Sequence, residues 1–204
     1  MGGHSAGEVA STLTLETLVE HFAPYGDEAP SGTKPRLVRA ITAANERVRS
    51  APDSGIGRHG MGTTIVCAAF TRNVAVLAHV GDSRAYLLRK GVLSRLTRDH
   101  SLQEHHAKNN GATPEALAEI PSNIILRAIG ASPLVEVEIN FVDVGPGDRL
   151  LFCSDGLSGM VADGALQAIL GAAEDRTTAA NELIKSANAA GGEDNITALI
   201  VDIE

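Results

Sequence analysis

The stretch Leu150-Leu151-Phe152-Cys153-Ser154-Asp155-Gly156 joins an apolar run to a polar bend. Successive apolar residues predict a strand buried on both faces, and Ser-Asp-Gly predicts that this strand ends abruptly. The carboxylate of Asp155 should therefore emerge at a strand terminus, where a metal ion can reach it. A lone Ser-Asp-Gly is also typical of an Asp that opens a turn or caps a helix, so both interpretations stay open.

Asp194 repeats this arrangement near the end of the chain. It follows a Gly-rich bend and precedes Asn195-Ile196-Thr197, at the entry to the last apolar run. Two carboxylates at strand termini can converge on one ion. Hard cations such as Mg²⁺ and Mn²⁺ prefer such oxygen ligands, whereas zinc favours closely spaced His and Cys. The sequence has no such His and Cys cluster.

Two other acidic residues have simpler interpretations. Asp82 lies in Gly81-Asp82-Ser83 between two strand-like runs, where Asp is favoured because its side chain hydrogen-bonds the local backbone. The residues alone therefore indicate a turn at Asp82. Asp99, in Arg98-Asp99-His100-Ser101, is interpreted as structural.

The periodicity of the chain predicts both helices and strands. Helical spacing of apolar residues predicts helices at 6–22, 35–49, 162–171 and 175–190, and a helical tendency at 101–119 with Thr113 as a cap. Runs rich in Val, Ile, Ala and Tyr predict an antiparallel meander at 63–70, 73–79, 83–89 and 92–96, with a tight turn at Lys90-Gly91. Further strands are expected at 135–143, 149–154 and 195–203, and a surface loop at 24–35.

Composition limits the class of protein. With 204 residues, of which 44% are hydrophobic, the chain can bury one sizeable core, so residues 1–204 are predicted to form a single domain. A net charge of -8 without a Lys/Arg cluster disfavours nucleic acid as a partner. The sequence has no apolar run of membrane-spanning length and no signal peptide, which predicts a cytoplasmic chain. Both cysteines lie in apolar runs, which predicts free thiols.

Five further motifs follow one another along the chain. They are Gly60-Met61-Gly62-Thr63-Thr64, Val80-Gly81-Asp82-Ser83-Arg84-Ala85-Tyr86, Leu96-Thr97-Arg98-Asp99-His100-Ser101, Cys153-Ser154-Asp155-Gly156-Leu157 and Gly192-Glu193-Asp194-Asn195-Ile196-Thr197. Their order and approximate spacing resemble a bacterial phosphatase of the metal-dependent PPM (type 2C) family. Met1-Gly2-Gly3-His4 resembles the back half of that family's Asp-Gly-Met-Gly-Gly-His motif, without its Asp-Gly. The resemblance covers essentially the whole chain except the family's first two strands.

The resemblance implies a fold and a set of site residues. The implied fold is α+β, a four-layer sandwich of two antiparallel sheets flanked by helices, truncated at the N-terminus, with a flap at about 101–126. Asp155 and Asp194 are implied as ligands of Mn²⁺ or Mg²⁺, with two to three ions in the intact family site and fewer or none here. Asp82 is implied to help hold a third, weaker ion, and His4 to protonate the leaving group.

The implied activity is hydrolysis of phosphoserine and phosphothreonine in proteins by a metal-activated water. Substrates would be phosphoproteins, products of a Ser/Thr kinase. One hypothesis is that the gene product begins upstream of Met1 and is an ordinary phosphatase. The alternative is a catalytically inactive phosphatase-like module that binds or regulates a partner. Absence of the first strands would expose sheet edges, which favours a homodimer.

Overall fold

A computed structural model describes residues 4–22, 30–110, 113, 116–117, 119–121 and 123–204. The chain divides into two compact units. The first comprises Met1–Gly81 and His100–Val142, and the second comprises Asp82–Asp99 and Asp143–Glu204. No helix in the described part of the chain is both long and apolar enough to cross a membrane.

The described part of the first unit contains a three-stranded sheet and the three α-helices named below. Its sheet has the order β1-β2-β5, and β1 and β2 pair antiparallel from Ile65 opposite Val80 to Thr71 opposite Val74. The elements are α1 (His4–Phe22), α2 (Pro30–Ser50), a 3-10 turn (Ala51–Ser54), β1 (Ile65–Thr71), β2 (Val74–Val80), α3 (Leu102–Asn110) and β5 (Glu138–Asp143).

The second unit contains a four-stranded sheet with the order β4-β3-β6-β7, in which every neighbouring pair is antiparallel. A short helix directly follows β6, and two longer helices precede β7 in the chain. The elements are β3 (Arg84–Arg89), β4 (Val92–Arg95), β6 (Arg149–Cys153), α4 (Asp155–Ser158), α5 (Asp163–Ala172), α6 (Arg176–Ala189) and β7 (Ala198–Asp202).

Each unit has its own apolar core. In the first, α2 packs on both α1 and the sheet, and Ile41 and Val48 are fully buried between them. In the second, α5 and α6 bury Leu166 and Leu183 against the sheet. The central strand β6 is buried from Leu150 to Cys153, as its unbroken apolar run predicts.

Most predicted elements are confirmed, including the turn at Lys90-Gly91, where both residues have positive φ. The expectation of one continuous meander was wrong, because β2 and β3 belong to different sheets. The predicted loop at 24–35 is wrong for its last residues, since α2 begins at Pro30 and includes Pro35; residues 24–29 lie outside the described residues. Proline needs no amide partner in a first turn, so Pro30 is a favourable start.

Asn45 is a fully buried polar residue on α2. Its side-chain amide donates to the carbonyls of Ser132 and Pro133 and accepts from the Gly130 N–H. Asn45→Ala would leave these backbone groups without their partner, so we expect it to lower the free energy of unfolding by about 2–4 kcal/mol. Chemical denaturation measures this. Ser50→Ala, at an exposed position on α2, is the control and should change stability by less than about 0.5 kcal/mol.

Candidate active site

Asp82 and Asp155 lie at the same end of two paired strands. The β3–β6 ladder ends with Arg84 opposite Cys153. Asp82 lies two residues before Arg84 and Asp155 two residues after Cys153, so both lie beyond this end of the ladder, and the negative charge of Asp155 acts on the carboxyl of Asp82. Asp82 is buried, with 8% of its surface exposed, whereas Asp155 is exposed.

Asp82 carries a carboxylate that is unfavourable in its ionised form. Burial raises the pKa of Asp82, and the negative charge of Asp155 raises it further, to about 6. A hydrogen bond from the backbone and the positive charge of Arg84 act in the opposite direction but do not compensate. Like charges at close range disfavour ionisation, and a cation between the two carboxylates would relieve the repulsion.

Asp155 is also held beside the bend that carries Asp194. The Ser154 hydroxyl donates to the Asn195 carbonyl at 3.1 Å and accepts from the Thr197 N–H at 3.0 Å. The Ser154 N–H donates to the Thr197 carbonyl at 3.2 Å. These three bonds join the end of β6 to the residues that precede β7, so Asp155 and Asp194 meet at the same edge of the sheet.

Each of these two carboxylates is oriented by the backbone next to it. Oδ1 of Asp155 accepts from the Gly156 N–H at 2.9 Å, and Oδ1 of Asp194 accepts from the Asn195 N–H at 2.7 Å. Both side chains are exposed and reachable from solvent. The structure thus places the three predicted metal-site residues at one end of the sheet of the second unit, one buried and two exposed.

Gly156 permits the close approach of these two segments. A Cβ atom at this position would lie 2.4 Å from the Asn195 carbonyl oxygen and 3.5 Å from the Asp194 carbonyl carbon. Both neighbours are backbone atoms, so the segments themselves would have to separate. Gly156 is the second residue of the short helix α4, which begins at Asp155 and was not predicted.

Gly156→Ala is therefore expected to weaken Mn²⁺ binding at least about tenfold and to lower stability by about 1–3 kcal/mol, as overpacking does. Calorimetric titration with Mn²⁺ and thermal unfolding measure the two effects. Gly164→Ala is the matched control, because a Cβ at Gly164 meets nothing within 4 Å. Unchanged Mn²⁺ affinity in the Gly156 variant would contradict the expectation.

An ion-pair network begins at Arg84, the first residue of β3, two residues after Asp82. Asp99 accepts from Nε and Nη2 of Arg84, with a shortest distance of 2.7 Å, and from Nη2 of Arg95 at 2.5 Å. Arg84 Nη1 also donates to the hydroxyl of Tyr86, which donates to Asp163 at 3.1 Å. Hydrogen bonds from Arg84 to Asp99 and Tyr86 raise the pKa of the guanidinium against the effect of burial.

All seven histidines of the chain belong to the first unit. His4 begins α1, but its side chain is outside the described residues, so its predicted role as proton donor stays a prediction. His79 and His100 are buried in the first unit, and their rings stack with centroids 4.6 Å apart. Together with Glu138 they place metal-ligand atoms within 4.8 Å of one another.

This histidine cluster is better explained as a hydrogen-bonded part of the core than as a metal site. His100 Nδ1 accepts from the Gly81 N–H at 3.1 Å, so the neutral ring carries its proton on Nε2, which lies 3.3 Å from Glu138. Metal-bound histidines usually show the opposite arrangement, with the second nitrogen donating. Burial lowers the pKa of His100, although the hydrogen bond with Glu138 opposes this, so the ring is neutral near pH 7.

Sequence reasoning missed Ser154, Gly156 and the partners of Asp99. Ser154 and Gly156 flank Asp155 within one motif, but their contacts are with residues 194–197, about forty positions away. Arg84 and Asp99 each stood in a recognised motif. The signal in the sequence that could have indicated their ion pair is the opposite charge of Arg84, at the start of a predicted hairpin, and Asp99, just past its end.

Comparison with known proteins gives consistent results. The family described as Protein phosphatase 2C matches residues 1–194. The serine/threonine phosphatase stp of Listeria innocua is 37% identical over 208 residues, which cover 99% of this chain and 81% of that protein. The S. agalactiae serine/threonine phosphatase structure superposes with a TM-score of 0.91 at 34% identity, covering 100% of this chain and 84% of that one. The structure of the PstP catalytic domain in complex with two manganese ions superposes with a TM-score of 0.87 at 34% identity, covering 100% of this chain and 85% of that one.

Proposed function

Because the chain belongs to the protein phosphatase 2C family and is a protein serine/threonine phosphatase, we propose that Asp82, Asp155 and Asp194 hold its divalent metal ions. Asp155 and Asp194 would hold the ions that serve catalysis, and Asp82 would help to hold a third, weaker one. Mn²⁺ or Mg²⁺ fits this donor set, which consists of carboxylate oxygens. The PstP domain with two manganese ions is the parallel among solved structures.

The observation that carries the proposal is the burial of the Asp82 carboxyl within reach of the negative charge of Asp155. A protein gains nothing for stability by burying one carboxylate opposite another, and such pairs cluster where function needs them. The pKa of Asp82, raised to about 6 by burial and by Asp155, marks this pair as a site for a cation. The backbone bonds that orient Asp155 and Asp194 support the same assignment.

The ions, when bound, supply a water of lowered pKa and neutralise charge on the phosphoryl oxygens. The residues of this chain position the carboxylates that would bind the ions. Ser154 and Gly156 keep Asp155 beside Asp194. His4 donates a proton to the leaving serine or threonine oxygen, as a group that titrates near neutral pH can do. The phosphoproteins would be products of a Ser/Thr kinase.

Two further expectations stay proposals. The cytoplasm is the proposed compartment, consistent with Cys67 and Cys153, which carry free thiols. Burial raises the pKa of each thiol to about 12, so neither is a reactive thiolate. A homodimer through sheet edges is the proposed assembly, and sedimentation equilibrium would test it.

The deciding experiment is hydrolysis of a phosphothreonine peptide by the purified chain. We expect activity in millimolar Mn²⁺, its loss after chelation with EDTA, and its return when Mn²⁺ is restored. Calorimetric titration with Mn²⁺ in the absence of peptide separates metal binding from catalysis. Hydrolysis that persists at full rate in EDTA, or metal binding without any hydrolysis, would contradict the proposal; the second result would favour the inactive binding module.

A further inference from the structure

The residues after β4 are attached to the start of β3 at three points. The Leu96 N–H donates to the Ala85 carbonyl at 2.8 Å, and the Ala85 N–H donates to the Thr97 hydroxyl at 3.0 Å. The third attachment is the forked ion pair between Arg84 and Asp99. The segment 96–99 therefore fixes residues 84 and 85, which directly follow the turn that carries Asp82.

Asp99 has a second effect, on charge. Arg84 is the first residue of β3, two positions after Asp82. A guanidinium free to turn toward the carboxylates would compete with a divalent cation for them. Asp99, whose side chain is only 10% exposed, holds the fork of Arg84 and balances its charge together with that of Arg95.

We propose that Asp99 is a positioning residue for the metal site: it anchors Arg84, fixes the start of β3 beside Asp82, and prevents Arg84 from occupying the place of a metal ion. This inference rests on the proposed metal-binding role of Asp82 and Asp155. It gives the Arg-Asp-His-Ser motif a function that its interpretation as structural did not include.

The test compares Asp99→Asn with Asp148→Asn in the full chain. Asp148 is the matched control, because it forms a forked ion pair with Arg89, the last residue of β3, and is also nearly buried. Arg84 and Arg89 are the first and last residues of the same strand. Both variants should lose thermal stability by a similar amount. Only Asp99→Asn should weaken Mn²⁺ binding, by about tenfold in calorimetric titration, a typical effect of losing a residue that orients a metal ligand.

The outcomes are distinguishable. Mn²⁺ affinity in Asp99→Asn within about twofold of the wild type would overturn the inference and leave the proposed function intact. A wild type that binds no Mn²⁺ would overturn both. If Asp99→Asn fails to fold, Thr97→Val removes one attachment without changing charge; a loss of about threefold in Mn²⁺ affinity supports the positioning role, and an unchanged affinity contradicts it.

Discussion

Asp155→Asn is expected to lower kcat/KM for a phosphothreonine peptide by about 10³-fold or more. The amide retains the size of the Asp155 side chain but removes the negative charge with which Asp155 would bind a divalent ion. Metal ions contribute several kcal/mol of transition-state stabilisation, and each loss of about 1.4 kcal/mol is a tenfold loss in rate. Steady-state kinetics at saturating Mn²⁺ measure the effect.

The control for this variant is Asp143→Asn, because Asp143 is an exposed carboxylate in β5. Its activity should remain within about twofold of the wild type. Asp155→Asn should also keep a wild-type circular dichroism spectrum, because the side chain is exposed and the isosteric amide can still accept from the Gly156 N–H. If this variant retains more than a tenth of the activity, Asp155 is not a ligand of the catalytic ions.

Asp82→Asn is expected to stabilise the metal-free protein while it impairs metal-dependent activity. A folded-state pKa of about 6, against an ordinary value of 3.8, means that the folded protein is penalised whenever Asp82 is ionised. The penalty is complete above about pH 6 and disappears as the pH falls toward the unfolded-state value. We expect a gain of about 1–2 kcal/mol at pH 7.5, less than the full pKa shift implies because solvent screens part of the charge.

Thermal unfolding in EDTA at several pH values tests this expectation. The difference between Asp82→Asn and the wild type should be largest at pH 7.5 and vanish near pH 4. With saturating Mn²⁺ the wild type should become the more stable of the two proteins. An ion that binds the folded state stabilises most the protein that binds it most tightly. Equal unfolding temperatures in EDTA at pH 7.5 would show that Asp82 and Asp155 do not repel each other.

The strand ends that carry the site were predictable because their signal is local. Leu150 to Cys153 form an apolar run that must be buried, and Asp155 follows the first polar residue after it. The relation between Asp82 and Asp155 was not predictable in the same way. It depends on the register of β3 against β6, which are more than fifty residues apart in the chain, and their motifs could be placed near each other only through the family resemblance.

The errors have the same physical origin. Strand-like runs separated by short turns predict hairpins, but they do not show which neighbouring runs share a sheet. The predicted meander therefore continued across Gly81-Asp82-Ser83, where the chain passes from one sheet to the other. Ser154 looked like a turn residue and is a bridge to Asn195 and Thr197. Contacts between distant segments leave little trace in a single sequence.

The tight turn at Lys90-Gly91 gives this protein a convenient place for modification. It closes the end of β3 opposite to Asp82, and six strand residues at about 3.3 Å each put roughly 20 Å between the turn and the acidic residues. Lys90 is exposed. A fluorophore attached at this turn should report on folding and partner capture without entering the chemistry.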